Sequence, residues 1–330
     1  MASIVENFKE RIVEGRFTAL TFFIVVLAMR FLLFHFHGVP EWRFPDTGFL
    51  WQYVAPVFAN PLVSFGVSTF FVFLIALLIS GLNSRFLLIR TRTSLPFVVP
   101  LFLFSLHPLF LVMTPDFIAI LLIIIALYPL LESYQQPDTQ LLSFRSAILI
   151  GIAGLFQLYA LLMLPLWWRG EVSMRGMQPK SFATFVFGVF LVYLSVFSVY
   201  FWFDNVSGFV APFLFFAQLP PVEIPYFSVI EWVGIAFVFV FFAFYMLSGT
   251  SLSVRAKLST NFIVFVVVFS LLFQIVYWRE TVFFFLLCIA LISYLIAYYH
   301  SVSMSKKHVY YAFLMMMLLT GLYTLHFLVF

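Results

Sequence analysis

The chain has 330 residues, 64% of them hydrophobic and only 9% charged, whereas a water-soluble globular domain carries about 25% charge. That balance excludes a soluble protein, and the formal net charge of +4, spread over short segments between apolar runs, is a topology signal rather than a nucleic-acid footprint. Cys288 is the only cysteine and sits in the apolar stretch TVFFFLLCIA, so the chain forms no internal disulfide and offers no activated thiolate.

The first 16 residues, MASIVENFKERIVEGR, are too charged and too long for a signal-peptide n-region, and no small-residue cleavage site follows the first apolar run. That run therefore reads as a retained signal anchor. Apolar runs follow at about 17–36, 61–82, 94–112, 116–131, 143–168, 181–203, 228–248, 260–277, 281–299 and 308–328. They approach 20 residues and lack the alternation of a barrel strand, so they predict membrane-spanning helices.

Topology turns on the run AILIGIAGLFQLYALLMLPLWW. If 143–168 crosses once, Lys and Arg divide evenly between the two sides of the membrane. If it is a pair of helices of about 12 residues each, broken near Gly154 and Gln157, every later loop flips; such half-helices are tolerated where they line a polar cavity. Fourteen cations (Lys9, Arg11, Arg16, Arg85, Arg90, Arg92, Arg145, Arg169, Arg175, Lys180, Arg255, Lys257, Lys306 and Lys307) then lie inside, against Arg43 and Arg279 outside and Arg30 within a span. This is the asymmetry of the positive-inside rule. The expected fold is thus an all-α integral membrane protein with about eleven crossings, a cytoplasmic N-terminus and no soluble domain.

With that topology the acids Glu41, Asp46, Asp116, Asp204, Glu223, Glu231 and Glu280 fall at or near the outer surface. The first outer loop, HGVPEWRFPDTGFLWQYVAPVFANP, gathers Glu41, Arg43 and Asp46 among aromatic residues. Interfacial aromatic belts with solvated charges also account for these types, and Pro-Asp-x-Gly is ordinary turn chemistry. In MTPDFIAILLIIIALYPLL, Thr114 as N-cap, Pro115 at the first helical position and Asp116 in the first turn start a helix and fix the carboxylate against its dipole. Arg30, deep in an apolar run, either snorkels to the outer interface or serves function. Arg279 and Glu280 form a tight outer turn in QIVYWRETVFF, where an exposed ion pair is the plain reading. The apolar segment DNVSGFVAPFLFFAQLPPVEIPY is expected to lie in the outer interface. His35, His37, Glu41 and Asp46 have no diagnostic metal-ligand spacing, and no metal site is expected.

A first outer loop bearing an acid, a Pro-Asp opening the fourth span and a Gly-punctuated pair of short helices (SAILIGIAGLFQLYALLMLPLWWRG) together resemble the GT-C superfamily of polytopic glycosyltransferases. These use sugars linked to polyprenyl phosphate at the outer membrane face; protein O-mannosyltransferases and aminoarabinose transferases are members. The resemblance covers residues 1–203, a seven-helix module with first outer loop 37–60, leaving 204–330 as a variable four-helix part. It implies that Asp46 and Asp116 are the catalytic acids. Two departures stand out: Glu41 and Asp46 are five apart where many relatives have paired acids, and Gln157 stands where relatives often carry a donor-phosphate lysine.

The expectation is a plasma-membrane glycosyltransferase that is inverting, metal-independent and free of cofactors. It would move a sugar from a polyprenyl-phosphate carrier to a hydroxyl of an exported protein or glycan. Asp46 and Asp116 would be catalytic, with Arg30, Glu41, Arg43, Gln157, Arg279 and Glu280 contacting substrate. Membrane lipid is a partner and nucleic acid is not. The competing readings are a noncatalytic subunit of a secretion or translocation assembly, and a transporter.

Overall fold

The computed structural model describes residues 9–15, 17–41, 48–89, 93–136, 140–217, 253–278, 280–302 and 306–329. Among these, all regular structure is helical. The helices are α1 (Thr18–His37), α2 (Trp51–Val54), α3 (Pro61–Phe86), α4 (Leu95–Leu103), α5 (Pro115–Glu132), α6 (Gln140–Phe156), α7 (Met163–Arg175), α8 (Pro179–Trp202), α9 (Val206–Ala217), α10 (Val254–Val276), α11 (Phe283–Val302) and α12 (Lys306–Val329). Among the described residues, six stretches are long and apolar enough to cross a membrane: Thr18–His37, Pro61–Phe86, Pro115–Glu132, Pro179–Trp202, Val254–Val276 and Phe283–Ser301. The chain therefore has the make-up of a multi-pass membrane protein. The expected run 228–248 lies outside the described residues.

Local signals set the helix ends. Proline opens α3, α5 and α8, where its missing N–H would have no intrahelical partner. Asn60 caps α3 by accepting from the Leu62 amide at 3.0 Å, and Ser253 caps α10 by accepting from Ala256 at 3.3 Å. Gly176, at φ 84, stops α7 in a left-handed conformation that a side chain would disfavour.

Two apolar runs are not single rods. Residues 94–112 form the nine-residue α4 and a 3-10 turn at Pro108–Leu111, because Pro100 and Pro108 remove donors and Pro108 forces His107 into extended backbone. Residues 140–175 divide at Gln157, whose backbone is extended (φ −140, ψ 108) before a 3-10 turn at Leu158–Leu162. The limbs on either side have 17 and 13 residues, so they are longer than the pair read from sequence.

The broken run around α4 carries the chain back across the bundle, and the break at Gln157 reverses it. α3 and α5 run parallel: Ser64 meets the Met113 amide, Tyr128 donates to the Leu78 carbonyl, and Arg85 pairs with Glu132. The segment around α4 therefore carries the chain back to the end where α3 began. α6 and α8 are parallel as well, since Phe144 stacks on Phe187, Gly188 abuts Ala147, and Gly154 abuts Tyr193. α7 returns between them, its Glu171 bonded to Ser143 in the first turn of α6.

Arg30 explains how the α4 interruption is held. Its side chain is fully buried; Nε donates to Thr69 Oγ1 at 3.0 Å, Nη1 to the Phe104 carbonyl at 2.8 Å, and Nη2 to Ser68 Oγ at 3.1 Å and the Phe110 carbonyl at 2.8 Å. Carbonyls freed by the broken helix, which would be costly in an apolar surrounding, are satisfied by one guanidinium. The snorkelling reading is corrected accordingly: Arg30 points into the bundle.

Candidate functional site

Thr114 occupies the N-cap of α5 in extended backbone (φ −131, ψ 160) and Asp116 the first turn, as the sequence suggests, although the threonine hydroxyl makes no capping bond. Asp116 is fully buried. Its Oδ1 accepts from Gln157 Nε2 at 2.7 Å. The break between α6 and α7 thus serves a second purpose, because a residue in extended backbone can aim its amide out of the helical ladder toward the start of α5.

The same Gln157 amide lies 3.3 Å from Thr281 Oγ1, which also accepts from the Phe283 amide at 3.0 Å. Gln274, near the end of α10, donates to the Thr281 carbonyl at 3.0 Å and accepts from the Phe285 amide at 2.9 Å. Asp116, Gln157, Thr281 and Gln274 therefore form one buried polar file across the starts of α5 and α11, the α6 break and the end of α10. Tyr159 stands beside it, with its ring 5.1 Å from that of Tyr277 and within electrostatic reach of Glu280.

The described end of the first loop descends on this break. A Cβ on Gly48 would lie 1.9 Å from the Phe156 carbonyl oxygen, so only glycine fits there. The Leu50 amide donates to the Leu155 carbonyl at 3.0 Å. Phe49 is buried in an aromatic nest with Tyr193, Tyr200, Phe209 and Phe213, at centroid distances of 5.5–6.2 Å, which adds offset and edge-on ring contacts to the apolar burial.

Of the residues singled out from sequence, Asp116 and Gln157 are in direct contact, and Glu280 sits in the turn beside Thr281. Glu41 is exposed, four residues beyond the end of α1. Arg30 spends four of its five donors on the protein itself, against Thr69, Ser68 and two carbonyls, which makes it a clamp rather than a substrate contact. Asp46, Arg43 and Arg279 lie outside the described residues. Thr281 and Gln274 were not anticipated; a lone amide in the second half of the apolar α10 was the available signal, since polar groups at that depth need partners. Asn205 is exposed and accepts from the Gly208 amide, heading α9. Among the described residues, no three His, Cys, Asp or Glu side chains converge as a metal site requires.

The chain matches no family of known proteins, no curated protein and no solved structure.

Proposed function

We propose that the protein is a membrane glycosyltransferase of the GT-C type. It would transfer a sugar from a polyprenyl-phosphate carrier to a hydroxyl of an exported protein or glycan at the outer face of the plasma membrane. The observation that carries this reading is the convergence on Gln157: the carboxylate of Asp116 bonds to its side chain, and the first loop, two residues past Asp46, seats Gly48 on the carbonyl just before it. The two acids that the resemblance pairs thus belong to segments that meet at one break.

In this reading Asp46 takes the acceptor hydroxyl proton as that oxygen forms its bond to the anomeric carbon, the carbon–phosphate oxygen bond breaks, and polyprenyl phosphate leaves with inversion. Arg43 and Arg279 supply the positive charge that the leaving phosphate requires; Arg30 is already committed elsewhere. Asp116, held by Gln157, fixes the polar floor of the site.

Eleven crossings with a cytoplasmic N-terminus belong to the same proposal. Support comes from the parallel packing of α6 and α8, which returns the chain to its starting side within residues 157–178, and from the common end shared by Arg85, Arg145, Arg169, Arg175, Lys180 and Arg255.

The test is the glycan mass of exported proteins from cells with the chain, without it, and with Asp46→Asn or Asp116→Asn. Glycans should be lost on deletion and on Asp46→Asn; unchanged masses in every arm would end the proposal. A noncatalytic membrane subunit is the second reading, favoured by the complete burial of Asp116, and it predicts that both substitutions leave glycans unchanged.

A further inference from the structure

The backbone that leads from the 3-10 turn into α5 is extended at Val112 and again at Thr114, so no helical ladder fixes how α5 begins. Side chains of α1 and α3 do so instead. Ser64 and Ser68 lie one turn apart on α3, hence on one face, and both are buried. Ser68 Oγ donates to the Leu111 carbonyl at 2.8 Å, and Ser64 Oγ accepts from the Met113 amide at 2.8 Å. Arg30 Nη2 joins this row, donating to Ser68 Oγ at 3.1 Å and to the Phe110 carbonyl at 2.8 Å. Phe110, Leu111 and Met113 are thus pinned through their backbone, and Met113 is followed directly by Thr114, Pro115 and Asp116.

Arg30 also reaches the other side of Asp116. Its Nη1 donates to the Phe104 carbonyl at 2.8 Å, and the Phe104 ring lies 6.1 Å from that of Phe117, which is fully buried and follows Asp116 in the chain. The two carbonyls held by one guanidinium therefore lead to the residues before and after the acid. The planar fork of arginine suits this task, because it presents its donors in fixed directions.

We infer that Arg30, acting with Ser64 and Ser68, is a positioning residue for Asp116: it sets the start of α5 so that the carboxylate meets the Gln157 amide at 2.7 Å. The inference rests on the reading in which Asp116 serves sugar transfer, and adds a side chain of α1 to those that govern it. Groups that act in chemistry must be held to within about 0.5 Å of their productive geometry. Buried side chains that clamp extended backbone supply that precision. A role confined to stability would instead leave Asp116 in its native setting wherever the protein is folded.

The experiment records the infrared carboxyl band of Asp116 in the purified full-length protein, labelled with 13C-aspartate and isolated by subtracting the Asp116→Asn spectrum. Gln157→Leu removes the bonded amide directly and should shift the band. Arg30→Met should shift and broaden it too, and Ser64→Ala, a milder change that frees only the Met113 amide, should move it less in the same direction; a thermal midpoint confirms that each variant is folded. Arg85→Gln, in an exposed ion pair near the other end of α3, should leave the band in place. In cells, the rate at which glycans appear on a pulse-labelled exported protein should fall by about a hundredfold with Arg30→Met, by less with Ser64→Ala and not at all with Arg85→Gln. A native band in folded Arg30→Met and Ser64→Ala, beside a shifted band in Gln157→Leu, would overturn the inference. Unchanged glycans in Asp116→Asn would end the transfer reading instead, and the band shifts would still decide whether Arg30 positions Asp116.

Discussion

Two buried carboxylates sit at opposite ends of the same helical body and are held in different ways. Glu171 meets Arg175 one turn along its own helix, with Ser143 closing the group, whereas Asp116 accepts from Gln157, 41 residues away and on the far side of a chain break. The first arrangement is a local ion pair that locks a returning helix. The second depends on four segments meeting, and its carboxylate is positioned by a neutral side-chain amide. Under the proposed function, Glu171 serves the fold and Asp116 the chemistry.

That contrast breaks down or sharpens under substitution. Removing one member of the buried pair, Glu171→Leu or Arg175→Met, strands the other and should lower stability by about 3–5 kcal/mol, while the double variant should lose less than either single one; unfolding in micelles reads both. Gly48→Ala forces a methyl group against the Phe156 carbonyl and should cost about 1–3 kcal/mol, with proteolysis of the first loop as the sensitive readout. Gln157→Leu leaves a buried carboxylate short of a donor and should cost about 1–3 kcal/mol, less than the ion-pair singles if the two centres differ as argued. Asp116→Asn keeps the shape and still accepts from Gln157, so its stability should change by about 1 kcal/mol or less. Glycan transfer should nevertheless fall with Asp116→Asn. If Asp116→Asn destabilises as strongly as Glu171→Leu and leaves glycans intact, the distinction between the two acids disappears.

A second pair of elements marks where reading ahead of the structure stops. α8 and the stretch Phe283–Ser301 of α11 are both apolar enough to span a membrane, yet 11% of the α8 window is buried against 94% of that in α11. In lipid the outward surface is as apolar as the core, so hydropathy marks a span without saying which neighbours it touches. Periodicity, the usual guide to the buried face, is therefore weak here, and the central position of α11 was not legible.

Composition alone determined that the chain is a helical, multi-pass membrane protein, because so apolar a backbone must satisfy its own hydrogen bonds. Thr114-Pro115-Asp116 likewise marked the start of α5, and the positive-inside asymmetry favoured a break near Gln157 over a single crossing. Tertiary structure alone decided that Arg30 turns inward to hold Phe104 and Phe110, that Gln157 reaches Asp116, and that Thr281 and Gln274 complete the file. Those choices depend on which helix ends meet across tens of residues, and a one-dimensional pattern of apolar and polar positions does not encode such distances.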